Sequence, residues 1–515
     1  AYVRPAGTGF EVKARLEAVI PQSPPKGAHI EVRVNGKTAA GVDAALLTNP
    51  VEIWLPATAK GQSNLLDLVY VTDAGETPAN RIRYSAGGPG YFRDGAAYIM
   101  SSSHQDIAWM NSPDICIRDR DLKVISPALE KLRKSPNSRF AVETTLQLME
   151  YLDRHPDRKD EILALTRSGR FEWGATYQQP YESMYPGESL VRQVYLGRKW
   201  LKKTLPGCDS HIAWNPDVPA RAMQMPQILS KAGIPYLMMS RHEEGFYNWK
   251  SPDGSGVVAW SPGHYHESGM VFRAGTESLA DGTTIVQKYN DLRASALALT
   301  KKLGGRDDYY RSRNIAPVYG VLMSSDFTGP VEMDGLISEW NTLKSDPSSH
   351  FALPSLLYSS CEDFFRAATK GNPSFDTITG ERPDVWLYIH GPTHHKALDA
   401  CREAGWVLPA AETFATVDAV LSGSFRDYPA ERLDAAWKKA IYRDHGWGGK
   451  NGHITDRVFR EAFEAGRDAG RNILNTSIRS ISARAAAKKN LSSIRVFNHL
   501  SWARTGPVEC ALDMS

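Results

Sequence analysis

His104 and Asp106 stand two residues apart, directly after an apolar run, in Tyr98-Ile-Met-Ser-Ser-Ser-His104-Gln-Asp106-Ile-Ala-Trp109. In extended backbone, residues i and i+2 face the same side. An imidazole and a carboxylate then reach one point, as two ligands of one metal ion must. Trp109 follows closely enough to supply an aromatic floor. Two further segments repeat the design of an apolar strand followed at once by a carboxylate. They are His211-Ile-Ala-Trp-Asn-Pro-Asp217 and Val318-Tyr-Gly-Val-Leu-Met-Ser-Ser-Asp326. Singly, such an Asp reads equally well as a turn or helix-capping residue. All three together would line one rim of a parallel sheet. A fourth segment, Arg443-Asp444-His445-Gly446-Trp447-Gly448-Gly449, is Gly-rich within a helical region. That costs stability unless the backbone has to approach something. His445 is a candidate to complete a two-His, two-Asp site, an all-N/O set that suits zinc or another divalent ion. His390, His394 and His395 form a second cluster that competes with it for that role.

At 515 residues the chain is too long for one core and implies about three domains. A hydrophobic fraction of 42% and a charged fraction of 23% are ordinary for a globular protein. The net charge of +3 gives no reason to expect nucleic acid or an anionic membrane as partner. No apolar run reaches the roughly 20 residues of a membrane-crossing helix. The chain opens on Ala1 without a visible signal peptide, which favours a processed secreted or periplasmic protein over a cytoplasmic one. The five cysteines, Cys116, Cys208, Cys361, Cys401 and Cys510, are scattered without a Cys-x-x-Cys pair. Buried free thiols are the expectation, rather than a disulfide scaffold or a Cys-ligated zinc.

The elements that must position these residues follow from periodicity. Residues 1–90 alternate apolar and polar with period two, as in His29-Ile-Glu-Val-Arg-Val before the hairpin turn Asn35-Gly36, and predict a small β-sandwich. Residues 95–385 alternate short apolar strands with helical spacing at Leu122 to Leu132, Leu146 to Leu152 and Leu190 to Leu201. This predicts an α/β catalytic domain with a β/α barrel-like arrangement, its site at the carboxyl ends of the strands. Residues 390–488 predict three packed helices, with Trp406, Phe414 and Trp437 on the apolar side. Residues 489–515 read as the start of a further C-terminal β-domain, since a lone strand is not a stable unit. A separate chain carrying the rest of that domain, and a second copy of this chain, are candidate partners.

The motifs together resemble glycoside hydrolase family 38, the retaining α-mannosidases. His104-x-Asp106-x-x-Trp109 resembles the family's first motif. Trp214-Asn-Pro-Asp217 with Met225-Pro-Gln-Ile-Leu resembles the second, and Ser324-Ser-Asp326-Phe327 the acid/base motif. Asp444-His445-Gly-Trp-Gly-Gly resembles the late motif, and Val496-Phe-Asn-His-Leu-Ser-Trp the entry to the C-terminal β-domains. The resemblance implies Asp217 as nucleophile and Asp326 as acid/base. It implies one divalent ion, most simply Zn2+, on His104, Asp106, Asp217 and His445. It places Trp109, Arg241, Tyr265, His266 and His390 around a mannose-containing oligosaccharide or glycoside. The chain departs from the pattern at Val218-Pro-Ala, at Tyr181 and at Gly446. A metal-dependent carbohydrate deacetylase on a similar fold, and a sugar-binding homologue without catalysis, are the alternative readings.

Overall fold

The computed structural model describes residues 3–6, 9–19, 23–58, 62–84, 90–278, 285–289, 292–345, 353–382, 394–442, 446–484 and 494–509. At the amino end, strands Lys37–Asp43, His29–Val34, Asn64–Thr72 and Gly75–Tyr84 form one antiparallel sheet. Strands Val3–Ala6, Gly9–Leu16 and Val51–Pro56 form a second. Alternation works as period two requires: Ile30, Val32 and Val34 are buried and meet Val12, Ile53 and Leu55 in a shared core. Each such side chain contributes about 2 kcal/mol by leaving water. Asn35 and Gly36 both take positive φ (48° and 79°), the backbone a two-residue hairpin with right-handed twist demands.

The central region is α/β, and its strands fall into short sheets. Ala96–Ser101 runs parallel between Val318–Met323 and Ser355–Tyr358. Phe140–Val142 pairs in parallel with Phe171–Trp173. Ile212–Asn215, Tyr236–Met239 and Gly256–Ser261 run parallel in a five-stranded sheet extended by Gly245–Lys250 and Asp376–Thr379. Single links join these pieces: a bridge between Ser102 and Ala141, and the Ala175 amide donating to the Ile212 carbonyl at 2.9 Å. Among the described residues no closed barrel forms. The strands are only 3–6 residues long and the joints are single hydrogen bonds, too few to register a continuous ring. All six positions of Val318–Met323 are buried, as expected for a strand covered on both faces.

The helical stretch read from Leu122 to Leu132 is longer than its periodicity suggests, running from Pro113 to Lys134 with a π-helical turn at Arg120–Ile125. That extra residue per turn rotates Arg120 inward, where it is buried, and turns Leu122 outward to 63% exposure.

On the carboxyl side, His395–Ser422 packs along Gly452–Arg484, and Ala430–Ala440 packs against the latter. Phe414 and Trp437 are buried, but Trp406 is 65% exposed and does not join the apolar face. Over 28 residues the apolar stripe of that helix drifts around its axis, so the early Trp and the later Phe point differently. These helices are clamped to the α/β region through Arg192 on Gly187–Thr204. Arg192 forms a two-pronged ion pair with Glu412 at 3.0 and 2.6 Å and lies over the Trp437 ring, whose N–H also donates to Glu412. The described tail residues 494–509 hold no strand. Cys116, Cys361 and Cys401 are buried free thiols and Cys208 is a half-buried one; Cys510 lies outside the described residues. Among the described residues no helix is long and apolar enough to cross a membrane.

A further carboxyl, that of Glu172, is half-buried in the middle of strand Phe171–Trp173. Glu172 accepts the amides of Cys361 and Glu362, at 2.8 and 3.4 Å, at the start of helix Cys361–Thr369. Burial outweighs these bonds and raises its pKa from 4.5 to about 7. A raised folded-state pKa favours the protonated fold, so this stabilisation is complete below pH 4.5 and is lost as pH rises through about 7. Glu172→Gln should therefore gain on wild type by about 3 kcal/mol across that window. Denaturant unfolding of both proteins from pH 4 to 8 checks this, and parallel curves would refute it.

Candidate active site

Four carboxylates follow the carboxyl ends of their strands within five residues. Asp106 comes after Ala96–Ser101, Glu143 after Phe140–Val142, Asp217 after Ile212–Asn215 and Asp326 after Val318–Met323. His104 lies at their centre. Its Nδ1 is 2.9 Å from Glu143, and its Nε2 is 3.3 Å from Asp106 Oδ1 and 3.7 Å from Asp217 Oδ2. His104, Asp106, Glu143 and Asp217 are buried and Asp326 is half-buried. Backbone bonds place Asp326 beside His104: the His104 amide donates to Ser325 at 3.1 Å, and the Phe327 amide to His104 at 2.9 Å.

Each group is held by its own set of contacts. Glu143 also accepts from Gln179 at 2.9 Å and from the Gln105 amide at 3.4 Å. Gln147, the reciprocal partner in the Thr144 capping box, donates to the Gln105 carbonyl at 3.0 Å. The buried Arg120 donates to the Asp106 carbonyl at 2.7 Å and pairs with Glu150. Arg241 donates from Nε (2.9 Å) and Nη2 to Asp217 Oδ1, charge-assisted bonds that suit a carboxylate anion. The loop after Asp217 is anchored by Glu182, which accepts from Asn215 and from the Ala222 amide, both at 3.1 Å, and faces Arg221 at 3.8 Å.

Asp326 accepts from the buried Tyr265 hydroxyl at 2.5 Å, and the Tyr265 ring lies 4.9 Å from that of His104. Burial is the largest effect on Asp326 and raises its pKa; Asp106 and Asp217 add to the rise, while His104 and Tyr265 oppose it. His264 and His266 flank Tyr265, with ring centroids 4.2 and 5.6 Å away. Burial, with Arg241 and His266, lowers His264 to about 4, leaving it neutral at neutral pH.

Among the described residues, seven non-glycine residues have positive φ. Four are asparagines, which tolerate that region. The other three are Trp109 (70°), Arg241 (59°) and Phe327 (47°): Trp109 and Phe327 lie in segments that carry candidate carboxylates, and Arg241 holds Asp217 from another. Such backbone costs about 1–3 kcal/mol per residue and persists only where surroundings impose it. At Trp109 the imposing neighbour is Gly449, which bridges to it; Lys450 donates to the Trp109 carbonyl at 2.9 Å. The Gly-rich break therefore does meet another backbone closely. Trp109 is left 40% exposed.

Of the residues singled out in the sequence, His104, Asp106, Asp217, Asp326, Arg241 and Tyr265 come together, with His266 beside Tyr265. His390 and His445 lie outside the described residues. His394 sits 3.1 Å from Asp456 and edge-on to Trp447, within the helical region. Glu143, Gln179, Glu182 and Arg221 were not anticipated. Glu143 carried a signal, since Phe140-Ala-Val-Glu143 repeats the strand-then-carboxylate design. The others carried none, because their partners are distant in sequence.

The chain matches the glycosyl hydrolases family 38 N-terminal domain over residues 95–388, more than half its length. It belongs to glycosyl hydrolase family 38. An α-mannosidase of Saccharomyces cerevisiae is 26% identical over 175 residues, covering 32% of this chain and 16% of that protein. An α-amylase of Pyrococcus abyssi is 28% identical over 153 residues, covering 27% and 23%. The crystal structure of an α-mannosidase from Enterococcus faecalis V583 superposes with a TM-score of 0.62 at 19% identity, over 76% of this chain and 43% of that one. The chain thus spans less than half the length of each of these relatives.

A Cβ at Gly449 would sit 2.3 Å from the Trp109 carbonyl oxygen, at a φ of 66°. Gly449→Ala should cost about 3 kcal/mol of stability. Thermal unfolding measures it, and an unchanged midpoint would show that this contact is dispensable.

Proposed function

We propose that this family 38 chain carries the catalytic centre of a retaining α-mannosidase. The observation that carries the reading is the pairing of two differently treated carboxylates across His104. Asp217 is engaged as an anion by Arg241, while Asp326 is half-buried and pushed toward its protonated form. A retaining glycosidase needs this asymmetry, with one carboxylate to attack and one acid to protonate the leaving oxygen.

In this reading Asp217 attacks the anomeric carbon as Asp326 gives its proton to the departing glycosidic oxygen. Asp326, now ionised and still bonded by Tyr265, then takes a proton from the water that releases the sugar from Asp217. Arg241 keeps Asp217 aligned throughout. Trp109 offers a face for the sugar ring, and His266 and His390 are proposed as further sugar-binding residues. The relatives' α-mannosidase and α-amylase activities are both α-glycoside hydrolyses, and the mannosidase supports mannose as the sugar.

The donor set also fits a divalent ion. Ligands about 2.1 Å from a tetrahedral ion are about 3.4 Å apart. His104 Nε2 stands at 3.3 and 3.7 Å from Asp106 and Asp217, while Nδ1 faces Glu143, the usual orienting partner of a metal-bound imidazole. Among the described residues no three such side chains close into a complete metal site, and His445 is proposed as the fourth ligand. The ion, zinc for this N/O set, would supply an anchor for neighbouring sugar hydroxyls.

Asp217→Ala should abolish turnover of every glycoside. Asp326→Ala should lose about 10²–10⁴-fold on methyl α-mannoside but far less on 2,4-dinitrophenyl α-mannoside, whose leaving group needs no proton. Equal losses on both substrates would remove Asp326 from the acid role. Glu143→Gln should weaken zinc about 10–100-fold, read by titration against a chelating dye. Unchanged affinity would separate Glu143 from any metal.

A further inference from the structure

Residues 215–222 carry Asp217 and are buried at every position. The chain leaves its strand at Asn215 and forms no helix before Met225. A buried loop must find partners for its backbone polar groups. Pro216 and Pro219 lack an N–H, which lightens that demand and stiffens the loop. Other groups of the loop are met from three directions. Ser240 donates to the Pro216 carbonyl. The Arg221 amide donates to the Arg382 carbonyl at 2.7 Å, and the Arg382 amide to the Arg221 carbonyl at 3.0 Å. The third direction is the short turn Glu182–Met184.

Glu182 holds both ends of the loop. Its Oε1 accepts from Asn215 Nδ2 and its Oε2 from the Ala222 amide, both at 3.1 Å. Its own amide donates to the Ala220 carbonyl at 3.0 Å. Arg221, 3.8 Å from Glu182, donates from Nη2 to the Asn215 carbonyl at 2.5 Å. Glu182 and Arg221 are only 3% and 2% exposed. The pair ties residue 215 to residues 220–222, and Asp217 stands on the span between.

Fold stability gives little reason for two buried charges at this place. Replacing a buried ion pair by apolar groups of similar volume is often neutral or stabilising. Attack by a carboxylate does give a reason, because a displacement of about 1 Å can lower a rate about 10²-fold. Arg241 orients the Asp217 carboxylate, but the loop sets where its backbone stands.

We propose that Glu182 and Arg221 are positioning residues for the nucleophile, and that their bonds to the loop serve turnover rather than stability. The proposal rests on the retaining α-mannosidase reading for its reaction, but not for the loop.

The test is Glu182→Met combined with Arg221→Met, which removes both buried charges together and avoids leaving one unpaired. Assays are run where circular dichroism shows the variant folded. Its kcat/KM should fall at least tenfold, equally on methyl α-mannoside and 2,4-dinitrophenyl α-mannoside, while inhibition by free mannose stays within threefold of wild type. Equal losses mark the attacking group, since a loss at the acid depends on the leaving group. A smaller loss in the folded variant, or weaker mannose inhibition in proportion to the loss, would overturn the proposal. If the double variant does not fold, Asn215→Ala, which removes one bond and keeps the ion pair, should lose at least threefold by the same measures, and a smaller loss overturns it. If the wild type turns over no glycoside, the mannosidase reading fails, and hydrogen exchange over residues 215–222 in Asn215→Ala decides the loop alone. Faster exchange there than in wild type supports the restraint, and unchanged exchange overturns it.

Discussion

A buried imidazole surrounded by three carboxylates is the constraint on which the rest depends. Taking that many charges out of water is tolerable only if each is bonded and paired. His104 meets Glu143 on one ring nitrogen and Asp106 and Asp217 on the other. The surrounding chain is then committed to satisfying the carboxylates: Gln179 and Gln105 on Glu143, Arg241 on Asp217. Asp326 joins through backbone bonds to His104, which fixes its distance from the others more tightly than a side-chain contact would.

Precision at this centre is obtained with backbone that the residues would not adopt by themselves. Among the described residues, Trp109, Arg241 and Phe327 are the non-asparagine, non-glycine positions with positive φ, and all three lie at the candidate site. The energy for this comes from the large buried clusters on either side of the strands, which also continue into the helical region. That region is part of the site's support. Gly449 pins Trp109, and the Arg192, Glu412 and Trp437 contacts hold the helices against Gly187–Thr204. A chain cut before the helices would lose the restraint on Trp109.

The local signals were read reliably from the chain itself: the period-two strands of the amino-terminal sheets, the Asn35-Gly36 turn, and the strand-end positions of His104, Asp106, Asp217 and Asp326. These depend on neighbours within a few residues, and so does the motif order that resembled family 38. Periodicity also located the helices, but it did not show the π-turn that buries Arg120 or the drift that exposes Trp406. The short sheet segments in place of a continuous barrel were hidden for a similar reason. Apolar runs reveal strands, whereas pairing is settled by bonds between distant ones. Tertiary structure alone decided that Glu143 would face His104, that Gly449 would press on Trp109, and that Arg221 and Arg382 would share a face. Those contacts join residues 39, 340 and 161 positions apart. Nothing in local sequence encodes such distances, because only the packed core brings those segments together.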